Sequence, residues 1–283
     1  MNLKNDVLVT SEWLMCHLNK PNLVILDASM SKTISGAAVS GERKYIPGAR
    51  IFDFEKTICD PSNPLPHSMP TPELFAKEAG KLGITNHSTI IVYDNRGIYS
   101  SPRAWWMFKS MGHDNVAVLN GGLPKWEQSD LPVEDKQSSP TGKGGFIAQY
   151  RKSFIYSVED LLQAFGDPGT QFIDVRSPKR FSGSEPEPRK GLRSGHIPSA
   201  VNIHFKELIN DCQLLETAKL SFRFEQIASS KEQKLVFNCG SGVTSCIAAL
   251  AAYVCGYHNL AVYDGSWTEW GAREDLPIST STN

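Results

Sequence analysis

Asn115–Pro132 reads NVAVLNGGLPKWEQSDLP, and Asn259–Pro277 reads NLAVYDGSWTEWGAREDLP. Each joins an apolar run to a glycine turn, a tryptophan and a closing Asp-Leu-Pro. Three more pairs precede them in the same order. VILDAS (Val24–Ser29) matches FIDVRS (Phe172–Ser177), YIPGARIF (Tyr45–Phe52) matches HIPSAVNI (His196–Ile203), and TIIVYDNRG (Thr89–Gly97) matches KLVFNCGSG (Lys234–Gly242). A repeat this long is a tandem duplication of a domain, not a solenoid. The expected domains are 1–135 and 150–283. Residues 136–149 are the expected linker, poor in apolar residues and rich in Ser, Gly, Lys and Pro.

Within each copy, short apolar runs alternate with helical stretches. VILDA, IIVYD and VAVL read as buried strands, as do FIDV, LVFN and LAVY. Thr71-Pro72-Glu73 has the cap, first-turn proline and early acid of a helix start, and Gly83 closes that helix. Ser157 and Asp160 are spaced as a capping box. Val243–Cys255 is small and apolar almost all round, which predicts a buried helix. Alternating strands and helices define an α/β fold, with a parallel sheet flanked by helices in each half. Ligands on such sheets sit beyond the carboxyl ends of the strands.

Composition narrows the function. The chain has 283 residues, with 29 Lys+Arg against 30 Asp+Glu and a formal net charge of -1, which argues against nucleic-acid binding. No apolar run is long enough to cross a membrane, and the N-terminal stretch lacks the core of a secretory signal. A cytoplasmic setting is expected. None of the six cysteines falls in a C-x-x-C pair, so free thiols and no metal are expected. No organic cofactor is indicated.

The two copies differ chemically at the turn after LVFN. There the second copy reads Cys239-Gly240-Ser241-Gly242-Val243-Thr244, whereas the first reads Asp94-Asn95-Arg96-Gly97, with two extra residues before its helix. A cysteine at a strand-to-helix turn faces the positive end of the helix dipole. The glycines let backbone N–H groups curl inward as an anion nest. Both effects favour thiolate and hence a nucleophile. Asp94 cannot accept sulfur, so the first domain is expected to be catalytically silent. Cysteine phosphatases carry a phosphate-clamping arginine where this chain has Ser245, and the loop holds no cation, which disfavours phosphoryl transfer.

On these residues the chain resembles the rhodanese superfamily over nearly its whole length. HIPSAVNI and YDGSWTEW resemble its two signature regions, and CGSGVT resembles the loop of members that take sulfur from 3-mercaptopyruvate. YSSPRAWWMF, LPHSMP and GSEPEPR add to that likeness. Thiosulfate-using members are similar but carry cations at the positions of Gly240 and Ser241. The resemblance implies two tandem rhodanese-like domains, a Cys239 persulfide and a loop (Gly240, Ser241, Gly242, Val243, Thr244) whose amides hold its charge. It implies a small anionic sulfur donor and a thiol acceptor, thioredoxin among them. Arg180 and Arg189 match the family's substrate-binding arginines, with an ion-pair scaffold as the competing role because two glutamates lie between them. Arg193 is a neighbouring alternative. A serine, histidine and acid relay proposed for the family maps onto Ser241, His67 and Glu55, and would place the site between the halves. Thiosulfate as donor, and a persulfide carrier without turnover, are the alternatives.

Other polar and aromatic residues are expected to be structural: His196 in its turn, Asp27 and Asp174 at their strand ends, and Trp105, Trp106, Trp126, Trp267 and Trp270 in the cores. Cys246, placed two helical turns beyond Cys239, is expected to be buried.

Overall fold

The computed structural model describes residues 3, 6–31, 43–140 and 142–280. The chain divides into two compact units: Met1–Ser62, Met69–Arg151 and Asp211–Leu214 form one, and Asn63–Ser68, Lys152–Asn210 and Leu215–Asn283 form the other. Among the described residues each unit builds a five-stranded sheet. In the first unit the strands lie in the order Leu8–Val9, Val116–Leu119, Thr89–Tyr93, Leu23–Asp27, Arg50–Ile51. In the second the order is Ile155–Tyr156, Leu260–Tyr263, Lys234–Asn238, Thr170–Asp174, Val201–Asn202. Within these two sheets the strand pairings are parallel. The two orders match strand for strand, as the internal repeat requires.

The central strands are buried along both faces, which explains why they read as unbroken apolar runs rather than alternating ones. Helix starts fall where cap chemistry put them. The helix Pro72–Lys81 begins after Thr71, whose hydroxyl accepts the Leu74 N–H at 3.3 Å. The helix Val158–Gln163 begins at a complete capping box of Ser157 and Asp160. Such caps are worth about 1 kcal/mol each. The expected apolar helix spans Ser245–Val254, and its residues Ser245 to Ala252 are all buried.

Each unit has its own core. In the first, Trp126 is fully buried with Leu14, Ile46, Ile91 and Ala117. In the second, Trp267 and Trp270 are fully buried with Ile197, Ala261 and Tyr263. Trp105 and Trp106 are likewise at 0% exposure, as expected of packing residues.

The stretch 136–149, expected to be a linker, packs along the first unit. Ser138 N–H donates to Ala49 O at 2.8 Å, Gly144 N–H to Gly80 O at 2.7 Å and Gln149 N–H to Met111 O at 2.8 Å. Phe146 is buried against Phe75, Phe108 and His113. One aromatic and a run of main-chain hydrogen bonds suffice to hold a segment whose composition reads as loop. The long run of the first unit ends at Arg151, and Lys152 begins the long run of the second.

A second departure concerns the key turn. The helix Ser101–Ser110 starts seven residues after Asp94, and Ser245–Val254 starts six after Cys239. The turn in the first copy is therefore longer by one residue, not two. Cys246 also lies in the first turn of its helix rather than two turns beyond Cys239, because residues 239–244 are not helical. It is buried, as expected.

Candidate active site

Cys239 follows directly on the strand Lys234–Asn238, at the carboxyl edge of the second sheet, and has 0% exposure. Burial by itself pushes a thiol up. Here hydrogen bonding from the Thr244 side chain and from the main chain of Ser245 and Ser241 outweighs that penalty and holds Cys239 below the ordinary thiol value. Cys59, Cys212 and Cys255 show the opposite outcome: burial pushes each of them up. The glycine signal is borne out at Gly242, whose φ of 75° lies in the left-handed region that lets the loop reverse.

The slot of the first copy holds the same cradle filled differently. Asp94, at 0% exposure, accepts the Arg96 N–H at 2.9 Å on one carboxylate oxygen. The other oxygen accepts the N–H groups of Tyr99, Ser100 and Ser101 at 2.9, 2.9 and 2.8 Å and the Ser101 hydroxyl at 2.7 Å. The amides that face a sulfur in one copy face a resident carboxylate in the other.

The loop of the second copy is gripped by the helix Ser266–Trp270. Trp267 N–H donates to Cys239 O at 3.0 Å and Thr268 N–H to Gly240 O at 2.9 Å. The Thr268 hydroxyl also donates to Gly240 O at 2.5 Å and accepts from Arg189 Nη1 at 3.1 Å. The Ser266 hydroxyl accepts the N–H groups of Cys239 and Gly242 at 3.2 and 3.1 Å.

Arg180 and Arg189 converge over Gly240. A β-carbon there would lie 3.5 Å from Arg180 Nη2 and 3.6 Å from Arg189 Nη1. Arg180 is also paired with Glu187 through Nε at 3.0 Å and Nη2 at 2.5 Å, so the scaffold role is real and coexists with its place beside the loop. Glu187 is shared with Arg176 at 2.8 Å, and Arg176 reaches Asp174 at 2.5 Å. This chain of alternating charges is almost dry: Asp174, Arg176 and Glu187 are 0%, 1% and 2% exposed. The Arg176 guanidinium lies 4.1 Å from the Trp267 ring centre.

Ser241 and His67 come together. His67 belongs to the second unit, has a left-handed backbone (φ 62°), and shares a 3.0 Å hydrogen bond between Nδ1 and the Ser241 hydroxyl. Glu55 belongs to the first unit, where Oε2 accepts the Ser31 N–H at 2.8 Å. Arg193 does other work, because its guanidinium donates to the carbonyls of Gly271, Leu276, Trp270 and Arg273. His196 stacks on Phe181 with centroids 3.7 Å apart and bonds Phe181 O, as a turn residue should. Asp27 and Asp174 accept the N–H groups of Ser29 and Arg176, each at 2.9 Å.

Arg176, Glu187 and Thr268 escaped the sequence reading as individuals. The repeat carried a signal for two of them: with the strand ends Asp27 and Asp174 aligned, Arg176 stands opposite Ser29, and Thr268 stands opposite Pro124. Differences between the copies mark the site, not only at Cys239.

Among the described residues no helix is long and apolar enough to cross a membrane, and no three His, Cys, Asp or Glu side chains are placed to hold a metal ion.

The family model for the rhodanese-like domain matches residues 10–129 and 157–273, and the chain belongs to that family. It is similar to the 3-mercaptopyruvate sulfurtransferase of Homo sapiens, at 39% identity covering 94% of this chain and 92% of the relative. It is similar also to thiosulfate/3-mercaptopyruvate sulfurtransferase 1, mitochondrial, of Arabidopsis thaliana, at 37% identity covering 98% of this chain and 79% of the relative. The crystal structure of SseA from Escherichia coli, a 3-mercaptopyruvate sulfotransferase, matches with a TM-score of 0.80 and 34% identity, covering 93% of this chain and 99% of that one.

Proposed function

We propose that this protein is a 3-mercaptopyruvate sulfurtransferase that carries sulfur on Cys239. The observation that bears most weight is a fully buried thiol held below its ordinary pKa by hydrogen-bond donors, in a cation-free loop, with two guanidinium groups beside it.

The Cys239 thiolate attacks the donor sulfur. The carbon–sulfur bond breaks, and its electron pair leaves as the pyruvate enolate, which takes a proton to give pyruvate. The proton of the donor thiol leaves the sulfur that becomes the outer sulfur of the persulfide and is the one the enolate takes up. In the second half, an acceptor thiol or cyanide attacks that outer sulfur and restores the Cys239 thiolate. The Ser241 and Ser245 N–H groups face the charge in both halves, as donors in an oxyanion hole do. Arg180 and Arg189 bind the donor carboxylate, which suits the fork of a guanidinium. Ser241 and His67 move the proton between donor and leaving enolate. A small thiol or reduced thioredoxin is the proposed acceptor, in a reducing setting such as the cytoplasm.

The decisive comparison is kcat/KM for 3-mercaptopyruvate against thiosulfate, with cyanide as common acceptor. The expected result favours 3-mercaptopyruvate by more than about tenfold, since the loop offers no cation to a second negative charge. Preference for thiosulfate overturns the donor assignment, as the name of the Arabidopsis relative makes worth testing. One equivalent of pyruvate per chain and no more would mark a carrier rather than an enzyme.

Arg189→Ala and Arg180→Ala are each expected to raise KM for 3-mercaptopyruvate about tenfold to a hundredfold, the range of a lost charge-assisted hydrogen bond, while kcat moves far less. Steady-state kinetics with both variants checks this. An unchanged KM in both would leave the two arginines with the ion-pair scaffold alone.

A further inference from the structure

Ser266 stands where the first copy has Gly122. Both residues adopt a left-handed backbone, with φ of 49° and 52°. In the first copy that choice is forced, because a β-carbon on Gly122 would collide with the carbonyls of Asp94 and Gly97. Glycine takes this conformation without penalty, and a serine does not. The second copy therefore tolerates strain at this one place on the helix that grips the loop. A left-handed serine also occurs at Ser199, opposite Gly48, but its exposed hydroxyl only meets the carbonyl of Pro198. Strain alone assigns nothing; the hydrogen bonds do.

The bonds of the Ser266 hydroxyl are complete. Its proton goes to Tyr263 O at 2.8 Å, and its two lone pairs accept the N–H groups of Cys239 and Gly242. Residue 266 has 0% exposure, so no water replaces these bonds when the hydroxyl is removed. The Gly242 N–H is bonded to the Ser266 hydroxyl at the point where the loop takes its left-handed bend (φ 75°). Ser241 and Ser245, on either side of that bend, are the residues whose main-chain hydrogen bonding lowers the Cys239 thiol.

We propose that Ser266 is a positioning residue for the nucleophile: its hydroxyl ties down the backbone of the loop from behind, so that the Ser241 and Ser245 amides face the Cys239 sulfur. It touches no reacting atom, and it acts through the loop. The proposal rests on the reading of Cys239 as the sulfur-accepting thiol.

Ser266→Gly is the informative change in the full chain, because the first copy shows that glycine supports this backbone. Ser266→Ala is a second variant that keeps the β-carbon. The probe is the pH profile for iodoacetamide alkylation of the Cys239 peptide, followed by mass, alongside kcat, KM and thermal unfolding. In both variants the midpoint of the profile is expected to move up by about one pH unit and kcat to fall about tenfold, with KM nearly constant. An unchanged midpoint overturns the proposal, including when Tm falls, because that result describes a structural hydroxyl only. Failure of the underlying reading looks different: 3-mercaptopyruvate would then add no sulfur to the Cys239 peptide of the unaltered chain.

Discussion

Cys239→Ser leaves a folded chain whose turnover of 3-mercaptopyruvate falls by about 10³- to 10⁶-fold, the scale on which removal of a covalent nucleophile acts. Serine nearly matches cysteine in volume and can accept the same donors from Thr244, Ser241 and Ser245, so thermal unfolding should change little. Its hydroxyl stays protonated at neutral pH, and the cradle has no charge to hold. The unaltered chain adds a matching pH signature. Burial raises the thiol and the surrounding donors lower it further, so the thiolate persists below the usual cysteine range. Acid protonates the sulfur and removes the nucleophile, so kcat/KM falls about tenfold per pH unit below the midpoint and levels off above it. Intact mass after treatment with the donor checks the assignment directly. One added sulfur is expected on the Cys239 peptide of the native chain, and none in the serine variant. Substantial turnover by Cys239→Ser would put the nucleophile elsewhere.

Arg176→Met is expected to cost about 3–5 kcal/mol of stability, the price of stripping one partner from a buried ion pair. At roughly 2–4 °C per kcal/mol, the melting transition should fall by about 6–20 °C. Arg176 sits between Asp174 and Glu187, donates to Gly195 O at 2.7 Å and lies over Trp267. Methionine fills much of its volume but leaves the Asp174 carboxylate in a dry core without a cation. Glu187 still has Arg180. The double variant Asp174→Asn, Arg176→Met separates charge from packing. If stranded charge causes the loss, the second change recovers part of it. If the double variant is as unstable as the sum of the two single ones, lost packing on Trp267 is the cause and the ion-pair account fails.

The fold was legible because duplication prints every strand twice. VILDA and FIDV, or IIVYD and LVFN, are short runs that could each belong to a buried helix, but their order recurs, and the sheet order recurs with it. Cys239 was legible for the same reason, standing where Asp94 stands. Val201–Asn202 and Arg50–Ile51 were not legible as strands, since two residues at a sheet edge leave no period to detect. The packing of 136–149 was hidden because main-chain hydrogen bonds need no particular side chains. Glu187 read only as an acid near two arginines, and its burial is a tertiary fact that sequence spacing does not encode. Arg193 stood as the neighbouring alternative to Arg189 for the substrate. Four carbonyls hold the one guanidinium, and a threonine leaves the other facing the loop.

Asp94 has a consequence for stoichiometry. Its carboxylate is a permanent tenant of an amide ring that would otherwise hold a visitor, and no dissolved anion competes with a group tethered there covalently. Each chain should therefore load a single sulfane sulfur, however much donor is supplied. Nor would Asp94→Cys alone restore a second loading point: the turn would still be one residue longer, and Gly122 would still lack the hydroxyl that Ser266 contributes. The first half anchors its own loop with that carboxylate, and more than one change separates it from the arrangement around Cys239.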